Sequence, residues 1–305
     1  RGLGDVYKRQ GVKDTSDAQA HMSYFNGNYD GNTYYIKNIE INSKNTVVGL
    51  FGNIIGAKVN NVILYSDKGN YIQRRSDSEK SWHAMGGMCG LAAVGKGKSS
   101  DDVKISNCTV SGYTIRDNTT KGAWGDTSIG GMFGMSTMDL SKCTAVNDIV
   151  VNTIFSGRME SVRVGGLVGS MRGYITNCYT GGKIVCTKKC IDNVSKNRQG
   201  SRLMLAGISG GIYIKNKGNL LTLLGESILG IKDYKDDTNG NNKKCESPAT
   251  VIRNCYTYVE MPNDPAYIDK ITSIEPIGSN GETHDEKRDN YLSLIHISEP
   301  TRRTP

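Results

Sequence analysis

The chain has 305 residues, 37 of them glycine, with a mean hydropathy of −0.44 and a formal charge of +8. That length suits one or two domains with a sizeable core. No apolar run approaches the ~18 residues that span a bilayer, which excludes a transmembrane helix. Only six prolines and no three-residue glycine period exclude collagen, and 37% hydrophobic residues argue against wholesale disorder.

Residues 1–10 read RGLGDVYKRQ, and residues 292–301 read LSLIHISEPT. One DNA string of ten codons encodes the first, and its reverse complement encodes the second. Both ends, 1–10 and 292–305, therefore read as translated sequencing adaptor and are set aside from fold reasoning. Between them, 11–291 reads as a single domain. It holds 33 basic and 28 acidic residues, a mild +5. The basic residues are scattered and no DNA- or RNA-binding motif occurs, so nucleic acid is not an expected partner.

An aromatic entry segment comes first in this domain: Phe25-Asn26-Gly27-Asn28-Tyr29-Asp30-Gly31-Asn32, then Tyr35-Ile36-Lys37-Asn38-Ile39-Glu40-Ile41. Next comes a glycine phrase, Val48-Gly49-Leu50-Phe51-Gly52. It returns as Gly86-Gly87-Met88-Cys89-Gly90, Gly130-Gly131-Met132-Phe133-Gly134 and Gly165-Gly166-Leu167-Val168-Gly169. A degraded copy is Leu205-Ala206-Gly207-Ile208-Ser209-Gly210. A second phrase follows each copy: Val59-Asn60-Asn61-Val62, Ile105-Ser106-Asn107-Cys108, Leu140-Ser141-Lys142-Cys143, Ile175-Thr176-Asn177-Cys178 and Ile252-Arg253-Asn254-Cys255. Cys108, Cys143 and Cys178 are spaced by 35 and 35 residues, and Cys255 lies 77 further on.

These phrases are short β-type runs bounded by glycine and asparagine, and a fixed period of such runs predicts a solenoid. Each unit cannot bury its apolar face alone, so units stack and equivalent side chains lie above one another in parallel strands ~4.8 Å apart. Glycine serves where a Cβ would clash, and asparagine where a turn needs the left-handed region. Two stretches interrupt the period. One is 67–84, which is polar. The other is 187–250, where Leu220, Leu221, Leu224, Ile228 and Ile231 recur at helical spacing and predict a short helix within 216–232. Gly225 weakens that helix by ~1 kcal/mol, and an extra β-excursion is the alternative.

The repeated phrases, the entry segment and the closing Pro276-Ile277-Gly278 to Asn290-Tyr291 resemble the GLUG-motif family of bacterial surface proteins over roughly 24–291. The resemblance implies an all-β, right-handed parallel β-helix, here of roughly seven coils and ~35 Å long. It also implies export to the cell surface or outside the cell and an adhesin-like role. Adjacent β-helix coils of a longer protein and a host or cell-surface glycan or protein are the partners it suggests.

Eight cysteines raise disulfide and metal chemistry. Cys108, Cys143, Cys178 and Cys255 share one repeat position and read as a stack of small buried hydrophobes whose parallel Cβ vectors suit disulfides poorly. Cys186, Cys190 and Cys245 lie in or beside the long interruption. A disulfide from Cys245 is open, but zinc is not expected without a CxxC pair. Lys235–Glu246 mimics a calcium loop, yet lysine stands at the first ligand position, which disfavours a dication. No metal or cofactor is expected.

The aromatic cluster Tyr24, Phe25, Tyr29, Tyr34 and Tyr35 could stack on sugars, or pack the first coil. Trp82, His83 and Trp124 lie in loops between repeats, where exposed rings suit ligand contact; packing against the coil is the plainer reading. Asn107 and Asn118 sit in sequons that chance explains. Neither HExxH nor GxSxG occurs, so no catalytic residue is assigned. The carboxylates Asp101-Asp102, Asp236-Asp237 and Glu282, Asp285 and Glu286 read as solvated turns. The expected function is therefore a non-catalytic adhesin stalk or display scaffold. A polysaccharide lyase or hydrolase, and an accessory domain of a larger secreted protease or toxin, are the alternatives.

Overall fold

The computed structural model describes residues 24–76, 82–95, 98–99, 101–119, 126–154, 161–196, 202–212, 250–268, 270–271, 273–275 and 277–278. Nearly every regular element among them is a short β-strand, and every strand pairing is parallel. The chain passes through β1 (Asn28–Asp30), β2 (Tyr35–Lys37), β3 (Ile41–Ser43), β4 (Val47–Val48) and β5 (Asn53–Ile55). It then repeats the tour as β6 (Lys58–Asn60), β7 (Ile63–Tyr65), β8 (Tyr71–Ser76), β9 (His83–Gly86) and β10 (Cys89–Ala93). The next layers fuse two strands into one: β11 (Lys104–Ser106), β12 (Thr109–Thr119), β13 (Thr127–Gly130) and β14 (Phe133–Ser136), then β15 (Leu140–Ser141), β16 (Thr144–Val151), β17 (Ser161–Gly165) and β18 (Val168–Met171). After β19 (Tyr174–Thr176), β20 (Tyr179–Gly181) and β21 (Ile184–Cys186), helix α1 (Lys188–Lys196) precedes β22 (Arg202–Ala206) and β23 (Ser209–Ile212). The described chain ends with β24 (Val251–Arg253), β25 (Tyr256–Thr257), the one-turn α2 (Pro265–Ile268) and β26 (Ser273–Glu275).

Strands at the same place in successive layers form one sheet. The first runs β1-β6-β11-β15-β19-β24, and the second runs β2-β7-β12-β16-β20-β25 with β3, β8 and β21 along its other half. The third runs β4-β9-β13-β17-β22-β26 and the fourth β5-β10-β14-β18-β23. Register is kept throughout. Val59, Ile105, Leu140, Ile175 and Ile252 are successive Cα partners, and the first four are fully buried. The second phrase of the sequence is thus the first sheet and its corner. The residue after each strand is Asn61, Asn107, Lys142, Asn177 or Asn254, all with φ between 51° and 56°. Asparagine tolerates that left-handed corner better than most residues. The side chains tie layers together as well: Asn107 Nδ2 donates to Asn61 Oδ1 at 2.6 Å, and Asn61 Nδ2 to Asp30 Oδ1 at 2.9 Å.

The next residue faces inward, and here Cys108, Cys143 and Cys178 are buried and Cys255 half-buried. Each is a free thiol. The Cys143 and Cys178 amides each donate to the sulfur of the next layer at 3.4 Å, while each thiol points back to the carbonyl two residues earlier. The stack read from the 35-residue spacing is present as packing.

The glycine phrase forms the corner between the third and fourth sheets, which approach closely across glycines and small side chains such as Ser128 and Ser170. A Cβ on Gly131 would collide with the Gly166 carbonyl oxygen of the next layer, and one on Gly134 with the Met85 amide of the layer before. Through the same corner the Met88 amide donates to Met132 O, Met132 to Leu167 O and Leu167 to Ile208 O, at 2.9–3.0 Å. Those four side chains are fully buried in one continuous core with Leu50.

One expectation needs correction. The polar stretch 67–84 is not a simple interruption: β8 lies within it and pairs with both β3 and β12, and β9 starts at His83. The strand was hidden because Gln73 and Arg74 are polar yet buried. The described helix of the long interruption is α1, before the predicted 216–232 helix, which lies outside the described residues, as do the 235–246 loop and Cys245. Helix α1 starts where the Thr187 hydroxyl accepts the Cys190 amide at 3.3 Å, an N-cap bond. It turns Cys190, Ile191 and Val194 inward.

Gly131→Ala is expected to lower the unfolding free energy by about 2–4 kcal/mol in urea titration, while Lys104→Ala at an exposed strand position changes it by less than about 0.5 kcal/mol. Equal midpoints for the two variants would contradict the close approach at the glycine corner.

Candidate functional site

The second half of the second sheet and the third sheet beside it bring three ionisable residues together in the interior. Arg74 of β8 and Asp117 of β12 are direct Cα partners, and His83 of β9 sits beside Thr127 of β13 in the neighbouring sheet. A bulge between Ser111 and Thr114 sets the second half of β12. The buried Asn147 side chain holds that bulge, donating to Val110 O and Gly131 O and accepting from the Tyr113 amide.

Arg74, His83 and Asp117 have side-chain exposures of 4%, 0% and 0%. A buried carboxylate is costly unless its lone pairs are filled. Asp117 meets that demand. Its Oδ1 accepts the Thr119 hydroxyl at 3.0 Å and lies 3.4 Å from His83 Nε2 and 3.7 Å from Arg74 Nη1, and its Oδ2 accepts the Thr153 hydroxyl. Arg74 in turn donates to Thr119 Oγ1 at 2.7 Å and to Asn45 O at 3.1 Å.

Burial alone would raise the Asp117 carboxyl, but His83, Arg74 and the Thr153 hydroxyl together outweigh it and bring it down to about 2. Burial first, and then the Arg74 charge, lower His83 despite Asp117. Helix α1 brings Cys190 near Asp117. Burial, with Cys186 and Asp117 nearby, pushes the Cys190 thiol well above its ordinary value, and burial pushes Cys186 up to about 12.

A hydroxyl, an imidazole and a carboxylate together are the composition of a nucleophilic triad. The geometry does not serve that chemistry. Thr127 Oγ1 lies 3.3 and 3.2 Å from the two ring nitrogens of His83. Equidistant, it is aligned with the lone pair of neither. All members are buried. The cluster is an internal polar brace joining the second and third sheets. Among the described residues no group of three or more His, Cys, Asp or Glu could hold a metal ion.

This placement corrects one expected ligand contact: His83 is interior, because its ring is the partner that the buried Asp117 requires. Trp82 beside it is half-buried, and Trp124 lies outside the described residues. The repeat residues Gly49, Gly52, Gly87, Gly90, Gly131, Gly134, Gly166 and Gly169 lie in or beside the glycine corners. Asp101 and Asp102 form an exposed turn, in which Asp102 accepts from the Ser99 amide and hydroxyl at 2.9 Å.

A second candidate lies on the outer face of the second sheet, where the pleat turns alternate residues out. Tyr35, Ile63, Thr109, Thr144, Tyr179 and Tyr256 occupy one outward row, and Lys37, Tyr65, Ser111 and Val146 the next. At the end nearest β2, Tyr35, Lys37, Ile63, Tyr65, Thr109 and Ser111 line a shallow groove of about 480 Å³. Tyr35 and Tyr65 meet edge to face with centroids 6.2 Å apart, and Lys37 Nζ lies 5.0 Å from the first centroid and 6.0 Å from the second. At the far end Tyr179 packs against Tyr258, and Tyr256 is half exposed. The entry aromatics divide. Phe25 and Tyr29 pack with Phe51, whereas Tyr24, Tyr34 and Tyr35 face outward. The signal for this face was the alternation in Tyr35-Ile36-Lys37 and Ile63-Leu64-Tyr65, two residues of each pointing out. No family model matches the sequence, and no curated protein or solved structure matches it.

The brace makes stability pH-dependent with a definite sign. His83 is depressed below its ordinary 6.5, so the unfolded chain takes up a proton first and stability falls as pH drops below about 6.5. Asp117 adds a second loss between about 3.8 and about 2. The urea midpoint is expected to be level between about pH 7 and 8 and to fall between pH 7 and 5. Asp117→Asn, which leaves Arg74 buried without its counter-charge, should cost about 3–5 kcal/mol at pH 7. A midpoint that rises on acidification would contradict the assignment.

Proposed function

We propose that this chain is a non-catalytic stretch of a bacterial GLUG-type surface protein, a right-handed parallel β-helix of roughly seven coils that serves as an adhesin stalk or display scaffold at the cell surface or outside the cell. The observation that carries the reading is the unbroken inner ladder. Backbone hydrogen bonds run from layer to layer through the strands and through the glycine corner, with Val59, Ile105, Leu140 and Ile175 stacked inside. Such a stack transmits length and rigidity at little sequence cost, and its outer rows are free to vary. The buried charged cluster of Arg74, His83 and Asp117 supports the same reading, because a catalytic constellation must reach substrate and these residues are interior.

The full chain is expected to scatter X-rays as a short rod of uniform cross-section. It should release no reducing ends and no unsaturated uronate from acidic or neutral polysaccharides. Turnover of any of these polymers, or a compact spherical profile, would overturn the scaffold reading.

A further inference from the structure

The groove at the β2 end of the second sheet has features that a bare scaffold does not need. Tyr35 is 60% exposed in it, and Lys37 is exposed beside it. Among the described residues Lys37 has no carboxylate within ion-pairing distance, and its ammonium stands over the rings of Tyr35 and Tyr65. The ring faces attract the ammonium but leave its positive charge uncompensated. The groove floor is Thr109 and Ser111, whose hydroxyls bond to no protein group among the described residues and face outward from half-buried positions. Ile63 supplies an apolar patch between them and Tyr35.

We infer that this groove is a binding site for an acidic polysaccharide, a pyranose chain carrying carboxylates. Each element has a role in that chemistry. The exposed face of Tyr35 offers an apolar surface for the C–H face of a pyranose ring, and amphipathic aromatic rings suit such partly wet contacts. Thr109 and Ser111 exchange hydrogen bonds with sugar hydroxyls. Lys37 meets a uronate carboxylate, which completes the charge that the tyrosines leave open. The layer spacing of ~4.8 Å is comparable to one pyranose unit, so successive sugars lying along the stack would meet equivalent outward positions. A folded protein partner would need a larger apolar face than one isoleucine and two tyrosines provide. The site stands on the display-scaffold reading in one respect: it binds the polymer without cleaving it.

The test uses the full chain in affinity electrophoresis, with polygalacturonate, alginate or hyaluronan in the gel and neutral dextran as the control. At least one acidic polymer is expected to retard the chain and dextran is not. Tyr35→Ala should weaken that retardation at least tenfold, and Lys37→Gln at least fivefold. Raising salt from 50 to about 300 mM should weaken the wild-type chain more than Lys37→Gln, because screening acts on the charge contact. Tyr174→Ala, on the first sheet, is the control for an exposed tyrosine elsewhere. Circular dichroism confirms that each variant keeps its fold, which outward positions permit. No retardation by any of the three acidic polymers would overturn the site, as would equal retardation by dextran or retardation unchanged in both Tyr35→Ala and Lys37→Gln. Product release in the same gels would overturn the scaffold reading while leaving the groove in place.

Discussion

Close approach of backbone to backbone at the glycine corner sets the terms for the rest of the molecule. Where the third and fourth sheets fold against each other, Gly131 and Gly134 leave no space for a Cβ, and the amides of Met88, Met132 and Leu167 reach the next layer's carbonyls. That contact fixes the rise from layer to layer. Once the rise is fixed, so is the register of the other sheets. Equivalent residues then stack, and a side chain suited to one layer suits the next. The cysteine stack and the asparagine ladder are consequences of this repetition. They satisfy the inward position and the left-handed corner with small residues that tolerate copies of themselves above and below.

The same register explains why the interior can hold charge. Arg74 and Asp117 are level partners on neighbouring strands, so guanidinium and carboxylate meet without strain in either backbone. His83 and Thr127 are level partners in the adjoining sheet, and Thr153 follows the strand next to β12. Six side chains thereby form one network. A buried ion pair gives little net stability against an apolar replacement but a large loss when one member goes. Its value here lies in holding β8 and β12 against the third sheet at the end of β8.

Much of this architecture was legible because it is local and repeated. Each glycine phrase and each Asn-Cys step states its own corner within five residues, and the 35-residue spacing states the stacking. The brace was not legible, since nothing local marks Arg74 or Asp117, His83 read as a loop residue suited to ligand contact, and only register brings the three together. The strand β8 was lost for the same reason. Helix α1 was missed because Cys190, Ile191 and Val194 make too short a stripe among lysines and polar residues to stand out. The groove was half legible. Tyr35 was read among aromatics that could stack on sugars, yet its pairing with Lys37 and Tyr65 depends on a neighbouring layer 28 residues away.

The central claim is that successive layers share their backbone hydrogen bonds in one register through the glycine corner. Amide hydrogen exchange of the full chain measures this directly. The Met88, Met132 and Leu167 amides should exchange slowly and at similar rates, far behind those of the exposed Asp67–Gly69 turn. Exchange of the Met132 and Leu167 amides as fast as that of the turn would contradict the stacked corner and the account built on it.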